Sequence, residues 1–316
     1  MNSIEISLII PVYQSSLSLD GLFKDIQNIL DNNFKTYELI LVNDNSSDDS
    51  WDVIKSLCGK YPWVKGINLR KNVGQHNATF VGLKHSVGNI IVTMDDDGQN
   101  NPKDIIALSS EVKKGFDVCF ANYRLKKHNL FRRLGSLLND IIINILFKKS
   151  KNLKINAFRC FNREISNEII KNKSPYIYID GIILSLTSNI TKVMVDHDQR
   201  KFGKSNYSFF KLINLWIIVA TGYSIVPLRI ASLLGIIFSI FGFTLSIIFV
   251  LQTLISSDAP SGWASLIVVI LTIGGIQLFA LGIMGEYLGK SYLTINNQPQ
   301  YSIKNIINKE NQKKLE

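Results

Sequence analysis

Roughly the first 120 residues alternate short apolar runs with amphipathic stretches. The apolar runs predict four β-strands, at Ile6–Val12, Tyr37–Val42, Val64–Leu69 and Asn89–Met94. Helical spacing of apolar residues, or a helix-start signal, appears between and after them, at Leu19–Leu30, Gln75–Ser86 and Pro102-Lys103-Asp104. Strands and helices that alternate in this way form parallel sheets, so the pattern predicts a mainly parallel α/β fold.

The last third of the chain contains two long uncharged stretches, 230–255 and 263–285. At about 1.5 Å per residue the first would reach roughly 39 Å as a helix, which exceeds the hydrocarbon thickness of a bilayer. Only the short polar segment 256–262 separates them, so the pair predicts a transmembrane hairpin. Basic residues flank both sides of the pair, whereas the connecting segment carries only Asp258. This charge bias predicts that both chain ends face the cytoplasm.

The pattern divides the chain into a catalytic domain (1–210), a juxtamembrane segment (211–229), the hairpin (230–285) and a cytoplasmic tail (286–316). Within the first domain, 131–150 places leucine and isoleucine on one helical face between basic ends. Such a helix lies on a bilayer or packs on the sheet, and its amphipathicity fits both. Small residues in the second span permit a homo-oligomer through the hairpin.

Composition narrows the classes of function. The 316 residues are 46% hydrophobic and carry a net charge of +10, which fits a domain that rests on anionic membrane lipids and handles phosphorylated substrates. No basic stripe is interleaved with aromatic residues, which argues against nucleic acid as a partner. Three widely spaced cysteines predict reduced, structural residues, and the N-terminus lacks the features of a secretory signal. The sequence lacks the glycine-rich motifs that usually mark enzymes of hydride transfer and ATP hydrolysis.

An acidic cluster, Asp95-Asp96-Asp97, follows the fourth predicted strand. The carboxyl ends of parallel strands meet at one edge of a sheet, where α/β proteins bind ligands. Asp95 and Asp97 would converge there on a divalent cation, and hard oxygen ligands suit Mg²⁺ or Mn²⁺. Polar groups at two other strand ends, Pro11-Val12-Tyr13 and Asp44 with Ser46, should reach the same edge, as should Gln99.

Together these strand ends resemble a family 2 glycosyltransferase of the GT-A fold, whose Asp-x-Asp binds a metal on a nucleotide-sugar diphosphate. The chain is most similar to polyisoprenyl-phosphate glycosyltransferases: undecaprenyl-phosphate aminoarabinose and glucose transferases and enzymes like dolichyl-phosphate mannose synthase. The similarity also rests on three further stretches, 72–78, 200–207 and Pro227-Leu228-Arg229. Two positions depart from the family. Asn206 replaces the usual Lys, with Lys204 nearby, and no acid precedes Phe158-Arg159.

The resemblance implies roles for individual residues. The expected metal ligands are Asp95, Asp97 and Gln99, with Mg²⁺ or Mn²⁺ as the cofactor. Arg200 is expected to act in catalysis as fixed positive charge at the phosphates. The nucleotide sugar is expected to contact Pro11, Tyr13, Asp44, Ser46, Gln75, Asp96, Arg124, Lys204 and Ser205. Arg132 and Arg133 are expected to meet the phosphate of the lipid acceptor.

The reaction implied is inverting transfer of one sugar from a nucleotide diphosphate sugar, uridine by resemblance, to undecaprenyl phosphate. Its place would be the cytoplasmic face of the bacterial inner membrane, and its product would serve modification of lipopolysaccharide, lipid A or O-antigen. The absent acid favours this acceptor, because a phosphate monoester is largely ionised at pH 7 whereas a hydroxyl needs a general base. Asp180 and Asp198 are the remaining base candidates.

Alternatives stay open at this point. One is a glycosyltransferase acting on a lipid or glycan hydroxyl during synthesis of envelope polysaccharide. Another is a catalytically silent membrane sensor of nucleotide sugars. The sugar itself is not specified by the pattern: glucose, an N-acetylhexosamine and a modified aminopentose all remain.

Overall fold

The structure is a computed structural model that describes residues 4–123, 155–196, 221, 225–255 and 262–308. It divides into two compact units. One unit comprises Met1–Tyr207 together with Asn297–Glu316, and the other comprises Ser208–Asn296. The chain therefore leaves the first unit once and returns to it near its end.

The first unit is built on one eight-stranded sheet. In chain order its strands are β1 (Ile6–Val12), β2 (Tyr37–Asn43), β3 (Val64–Leu69), β4 (Ile90–Thr93), β5 (Val118–Tyr123), β6 (Arg159–Asn162), β7 (Ile190–Val195) and β8 (Ile303–Ile307). Their order across the sheet is β7-β5-β6-β4-β1-β2-β3-β8. The described helices of this unit are α1 (Ser16–Asn33), α2 (Ser50–Lys60), α3 (Gln75–Lys84), α4 (Asp104–Lys113), α5 (Arg163–Ile170) and α6 (Ile179–Leu186).

The centre of the sheet is parallel and buried. β1 lies between β2 and β4 and runs parallel to both, and all seven of its residues are buried. A strand covered on both faces is mainly apolar, which explains why these runs were readable in the sequence. The four predicted strands, the three predicted helices and the mainly parallel sheet are confirmed. The cysteines are unpaired and buried, also as predicted.

Strand register brings three loops to one edge. Val12 pairs with Asn43 and Ile9 pairs with Thr93, so β1, β2 and β4 end close together. β6 runs antiparallel to β4 with Arg159 opposite Thr93, which places the start of β6 at the carboxyl end of β4. β8 runs antiparallel to β3 at the sheet margin. The sequence pattern predicted neither β6 nor β8.

The second unit contains two long helices, α7 (Val226–Ile255) and α8 (Trp263–Ile295). Pro227 lies in the first turn of α7, where a missing N–H costs nothing. α8 continues ten residues beyond the predicted boundary at 285, and there Glu286 pairs with Lys290 at 3.3 Å. Within the described part of the chain, one segment, Val226–Leu245, is long and apolar enough to cross a bilayer by length and composition.

Candidate active site

The acidic cluster lies immediately after β4, at the edge where β1 and β2 also end. Asp95 accepts a hydrogen bond from Nε2 of Gln75, and Asp97 Oδ1 accepts one from the Gln99 N–H at 3.1 Å. Gly98 adopts a positive φ of 68° between them. In the regions that the structure describes, no three His, Cys, Asp or Glu side chains form a metal-binding group. From the described residues alone, the site offers the two carboxylates of Asp95 and Asp97 and no complete protein cage.

The charges of Asp95 and Asp97 affect the pKa of Tyr123, the last residue of β5. Burial raises the pKa of the Tyr123 hydroxyl, and the negative charges of Asp95 and Asp97 raise it further. The Tyr123 hydroxyl donates to Oδ1 of the buried Asn100. The charges of Asp95 and Asp97 therefore both act on the Tyr123 hydroxyl, as does that of Asp104.

The middle aspartate, Asp96, faces the loop between β1 and α1. Its Oδ2 accepts from the Tyr13 N–H at 2.9 Å and from the Ser15 hydroxyl at 2.6 Å. Its backbone carbonyl accepts from the Ser18 hydroxyl at 3.2 Å. Burial raises the pKa of the Asp96 carboxyl, and the bonds from Ser15 and Tyr13 oppose that shift. Asp96 thus ties the β1–α1 loop to the acidic cluster.

The β1–α1 loop is also bonded to the segment after β2. The Gln14 N–H donates to Ser46 Oγ at 3.1 Å, and the Ser15 N–H donates to Ser50 Oγ at 3.0 Å. Gln14 and Asn45 both have positive φ, 55° and 54°, so each chain segment turns sharply at the contact. Tyr13 remains 44% exposed beside this network. An aromatic face is therefore presented to solvent from a firmly held loop.

Asp44 holds the segment that enters α3. Its two carboxylate oxygens accept from the Val73 N–H at 2.7 Å and the Gly74 N–H at 2.8 Å. Gly74 has a φ of 84°, which favours glycine, and α3 begins at the next residue, Gln75. Burial raises the pKa of the Asp44 carboxyl, and the two N–H groups oppose the change. Since Gln75 contacts Asp95, Asp44 and the acidic cluster are joined through α3.

A buried cation lies behind the acidic cluster. Arg159 is only 1% exposed and forms an ion pair with Asp180 in the first turn of α6. Burial lowers the pKa of Arg159 to about 10, opposed by the nearby Tyr178 and Asp95, so the guanidinium stays charged at neutral pH. The base candidate Asp180 is therefore a buried carboxylate paired with Arg159 rather than a solvent-exposed one.

His76 contacts Tyr178, the residue just before α6. Its ring meets the Tyr178 ring edge-on, with centroids 5.1 Å apart. Burial, reinforced by the charge of Arg159, lowers the pKa of His76 to about 3, so the imidazole is neutral at physiological pH. α3 and the start of α6 therefore touch through a neutral aromatic pair.

The structure brings together many, but not all, of the predicted site residues. Asp95, Asp97, Gln99, Tyr13, Asp44, Ser46, Gln75 and Asp96 lie at the carboxyl edge, and Pro11 is buried within β1 opposite Val42. Six predicted residues fall outside the described residues: Arg124, Arg132, Arg133, Arg200, Lys204 and Ser205. The helix predicted for 131–150 and the base candidate Asp198 also fall outside them.

The sequence pattern missed several residues that shape the site, namely Ser15, Ser18, Tyr123, Arg159 and Tyr178. One signal was available. Arg159 stands in an otherwise apolar run, Phe158 to Phe161, and a charge inside such a run requires a buried partner. Ser15 and Ser18 gave no comparable signal, since serine is ordinary at a helix start.

Known proteins match this chain over most of its length. The family model for Glycosyl transferase family 2 matches residues 7–170. Two undecaprenyl-phosphate 4-deoxy-4-formamido-L-arabinose transferases, from Salmonella choleraesuis and Salmonella typhimurium, are each 31% identical over 310 residues. The alignments cover 96% of this chain and 94% of those proteins.

Solved structures share the fold. Glucosyl-3-phosphoglycerate synthase from Mycobacterium tuberculosis, in complex with Mn²⁺, uridine diphosphate and phosphoglyceric acid, superimposes with a TM-score of 0.51 at 14% identity, covering 68% of this chain and 77% of that one. Mannosyl-3-phosphoglycerate synthase from Rubrobacter xylanophilus gives 0.51 at 12% identity, covering 68% and 71%. The resemblance expected from the motifs is confirmed, and this chain belongs to glycosyl transferase family 2.

Proposed function

We propose that this protein transfers one sugar, with inversion, from a uridine diphosphate sugar to undecaprenyl phosphate. The observation that carries the proposal is 31% identity along nearly the whole chain to enzymes named undecaprenyl-phosphate 4-deoxy-4-formamido-L-arabinose transferases. The site agrees with it, since an exposed aromatic ring, two neighbouring carboxylates and held loops lie at one sheet edge. The lipid-linked sugar would supply lipopolysaccharide, lipid A or O-antigen modification.

The donor set at the acidic cluster fits Mg²⁺ or Mn²⁺. Asp95 and Asp97 offer hard oxygen ligands, with Gln99 beside them, and Mg²⁺ commonly binds proteins through one or two carboxylates plus substrate phosphates. When bound, such a cation would neutralise charge that develops on the diphosphate leaving group. The chain's own contribution is to hold both carboxylates in place through Gln75 and the turn at Gly98.

Metal removal should therefore abolish transfer. We expect excess EDTA to reduce turnover by at least 10²-fold, the scale at which loss of charge stabilisation affects catalysis. Adding back Mn²⁺ or Mg²⁺ should restore it, whereas Ca²⁺ should restore less because it prefers more ligands. Full turnover in chelator would contradict the metal assignment.

The remaining predicted contacts complete the proposed donor site. Tyr13 would face the base, and Asp44 and Ser46 hold the loops that frame it. Arg200, Arg124, Lys204 and Ser205 are proposed to contact the phosphates of the donor. Arg132 and Arg133, at the start of a proposed interfacial helix, are proposed to contact the phosphate of the lipid.

Asp180 bears on the nature of the acceptor. Its carboxylate is paired with Arg159 and buried, so accepting a proton there would leave an uncompensated guanidinium. A phosphate acceptor does not require that proton transfer, because its oxygens are already ionised near pH 7. The pairing of Asp180 supports a lipid phosphate over a lipid or glycan hydroxyl as the acceptor.

Chain connectivity supports two membrane crossings. β8 belongs to the same sheet as β1 to β7, although α7 and α8 precede it in the chain. One sheet cannot lie on two sides of a bilayer. The segment that joins β7 to β8, which contains α7 and α8, must therefore begin and end on the same side of the bilayer. Both helices present exposed large apolar side chains, such as Phe243 at 70% and Leu278 at 72%, which soluble surfaces rarely show in such density.

We therefore propose a hairpin of α7 and α8 in the bacterial inner membrane, with the catalytic unit and both termini in the cytoplasm. We also propose that α8 contacts a second copy. A Cβ added at Gly274, Gly275 or Gly282 would meet no described atom within 4 Å, which leaves this small-residue face open for close helix packing.

The decisive test of function uses purified full-length protein with undecaprenyl phosphate and a panel of nucleotide sugars. We expect one uridine diphosphate sugar to give a lipid-linked product with the inverted anomeric configuration. Transfer to undecaprenol instead of its phosphate would favour a hydroxyl acceptor. Nucleotide-sugar binding without any transfer to lipid would favour the silent sensor.

Replacing Asp96 should weaken donor binding more than it slows chemistry. In Asp96→Ala the β1–α1 loop loses its bonds from the Tyr13 N–H and the Ser15 hydroxyl, so Tyr13 is held less firmly. We expect the KM for the nucleotide sugar to rise about tenfold, the scale of one to two lost hydrogen bonds, with a smaller fall in kcat. Steady-state kinetics check this.

Ser18→Ala is the matched control for Asp96→Ala. It removes the hydroxyl bonds to the Asp96 and Ser15 carbonyls and leaves the bonds to the Asp96 carboxylate intact, so its KM should stay within about twofold of the wild type. An unchanged KM in Asp96→Ala would show that this carboxylate does not position the loop.

A further inference from the structure

The segment that connects α8 to the sheet makes contacts that were not expected of a C-terminal tail. We call residues 297–308 the return segment. Its Gln300 donates from Nε2 to two backbone carbonyls, those of Asn172 at 3.3 Å and Ser174 at 2.6 Å. A side-chain amide that faces two carbonyls is fixed in orientation, since only its nitrogen can donate to them. β8 then pairs with β3, and Ser302 accepts from the Arg70 N–H at 2.8 Å.

The neighbouring residue, Tyr301, contacts α3. Its ring meets the Phe80 ring edge-on, with centroids 6.5 Å apart. The Lys84 ammonium lies 4.8 Å from the Phe80 centroid and 5.4 Å from that of Tyr301, which is within the range of cation–π attraction. Two consecutive residues of the return segment therefore hold two different elements.

Both of those elements lead directly into the candidate site. Asn172 and Ser174 belong to the loop between α5 and α6, which continues to Tyr178 and Asp180. Phe80 lies five residues after Gln75 on α3, about 7.5 Å along the helix axis. The two elements meet where His76 touches Tyr178, and Gln75 reaches Asp95 beside that contact.

We propose that Gln300 is a positioning residue for sugar transfer. Together with Tyr301 it holds α3 and the α5–α6 loop in the arrangement in which His76 meets Tyr178 and Gln75 reaches Asp95. Among the described residues, the Gln300 side chain bonds to the α5–α6 loop and not to a proposed metal ligand, so it acts on the site through that loop, while Tyr301 acts through α3. The inference rests on the proposed function for its kinetic consequence, but not for its structural one. The inference also means that residues C-terminal to α7 and α8 help to hold the active site in place.

The test compares Gln300→Met with Gln298→Met in the full-length protein. Methionine removes the two donors at similar side-chain length, and Gln298 is an exposed residue of the same segment. We expect Gln300→Met to lower kcat/KM about 5-fold to 30-fold, the scale of one to two lost hydrogen bonds to partly buried carbonyls, and Gln298→Met to stay within about twofold.

A second comparison separates positioning from general destabilisation. In a Tyr178→Leu background the contact through which Gln300 acts is already gone, so Gln300→Met should then cost less than about threefold. Residues that merely stabilise the fold would give the same loss in both backgrounds. Hydrogen exchange should also show faster exchange of 75–78 and 172–178 in Gln300→Met than in Gln298→Met.

Three results would overturn the inference: equal turnover of the two glutamine variants, an equal loss with and without Tyr178→Leu, or unchanged exchange of both segments. If the wild type transfers no sugar to lipid phosphate, the proposed function fails instead. Hydrogen exchange still decides in that case whether Gln300 holds α3 and the α5–α6 loop.

Discussion

Asp97→Asn is expected to lower the formation of lipid-linked sugar by about 10²-fold to 10³-fold while the chain still inserts into membranes. The change removes one of two negative charges that face the proposed cation, and an amide oxygen is a weaker ligand for a hard metal. The fold should tolerate it, because asparagine retains an oxygen that can accept from the Gln99 N–H. Product formation from radiolabelled nucleotide sugar measures the effect.

The control makes the same chemical change nearby. Asp49 is an exposed residue at the N-cap of α2 whose side chain makes no capping hydrogen bond, and asparagine serves equally well at such a position. Asp49→Asn should keep transfer within about twofold of the wild type. Wild-type turnover in Asp97→Asn, or an equal loss in Asp49→Asn, would remove the basis for the metal site.

The central strands and the positions of their polar ends were predictable because burial leaves a direct trace in sequence. β1 and β2 are covered on both faces, so they appear as mainly apolar runs that end at polar residues, and their two internal polar side chains, Ser7 and Glu38, bond to each other. Parallel pairing then places those ends at one edge, which is why Asp44 and the acidic cluster could be assigned to one site from sequence. Metal-ligand chemistry and family resemblance supplied the roles.

The remainder of the site depends on contacts that no local pattern encodes. β6 is four residues long and begins with Arg159, whose partner Asp180 lies 21 residues away. β8 lies beyond the two long helices α7 and α8 and pairs with a strand more than 230 residues earlier. Asp44 and Asp96 have the expected positions, but tertiary structure gives their carboxylates backbone amides as partners.

These backbone partners give the carboxylates of the site two different roles. Asp44 fixes the entry to α3, and Asp96 fixes the β1–α1 loop, so both act on backbone that surrounds the proposed donor. Asp95 and Asp97 bond to Gln75 and to the Gln99 N–H, and their charges act on Tyr123. A site whose loops are held before substrate arrives avoids part of the ordering cost of binding, which is the general benefit of preorganisation.

Arg159→Met should be the most destabilising of the substitutions considered. It leaves Asp180 buried without its counter-charge, which typically costs about 3–5 kcal/mol of unfolding free energy. For a unit of this size the melting temperature should fall by on the order of 10 °C. Tryptophan fluorescence of the detergent-solubilised protein during heating measures it, and Arg70→Met, at an exposed arginine, should change it by less than about 2 °C.

The double variant Arg159→Met/Asp180→Leu distinguishes a stranded charge from a packing defect. With both charges replaced by apolar groups, most of the lost stability should return, since buried ion pairs are often no better than apolar contacts. Transfer should not return, because the positive charge that interacts electrostatically with Asp95 is still missing. If the double variant melts no higher than Arg159→Met, the cost arises from packing around Phe158 and Cys160, and if it regains full turnover, Arg159 serves the fold alone.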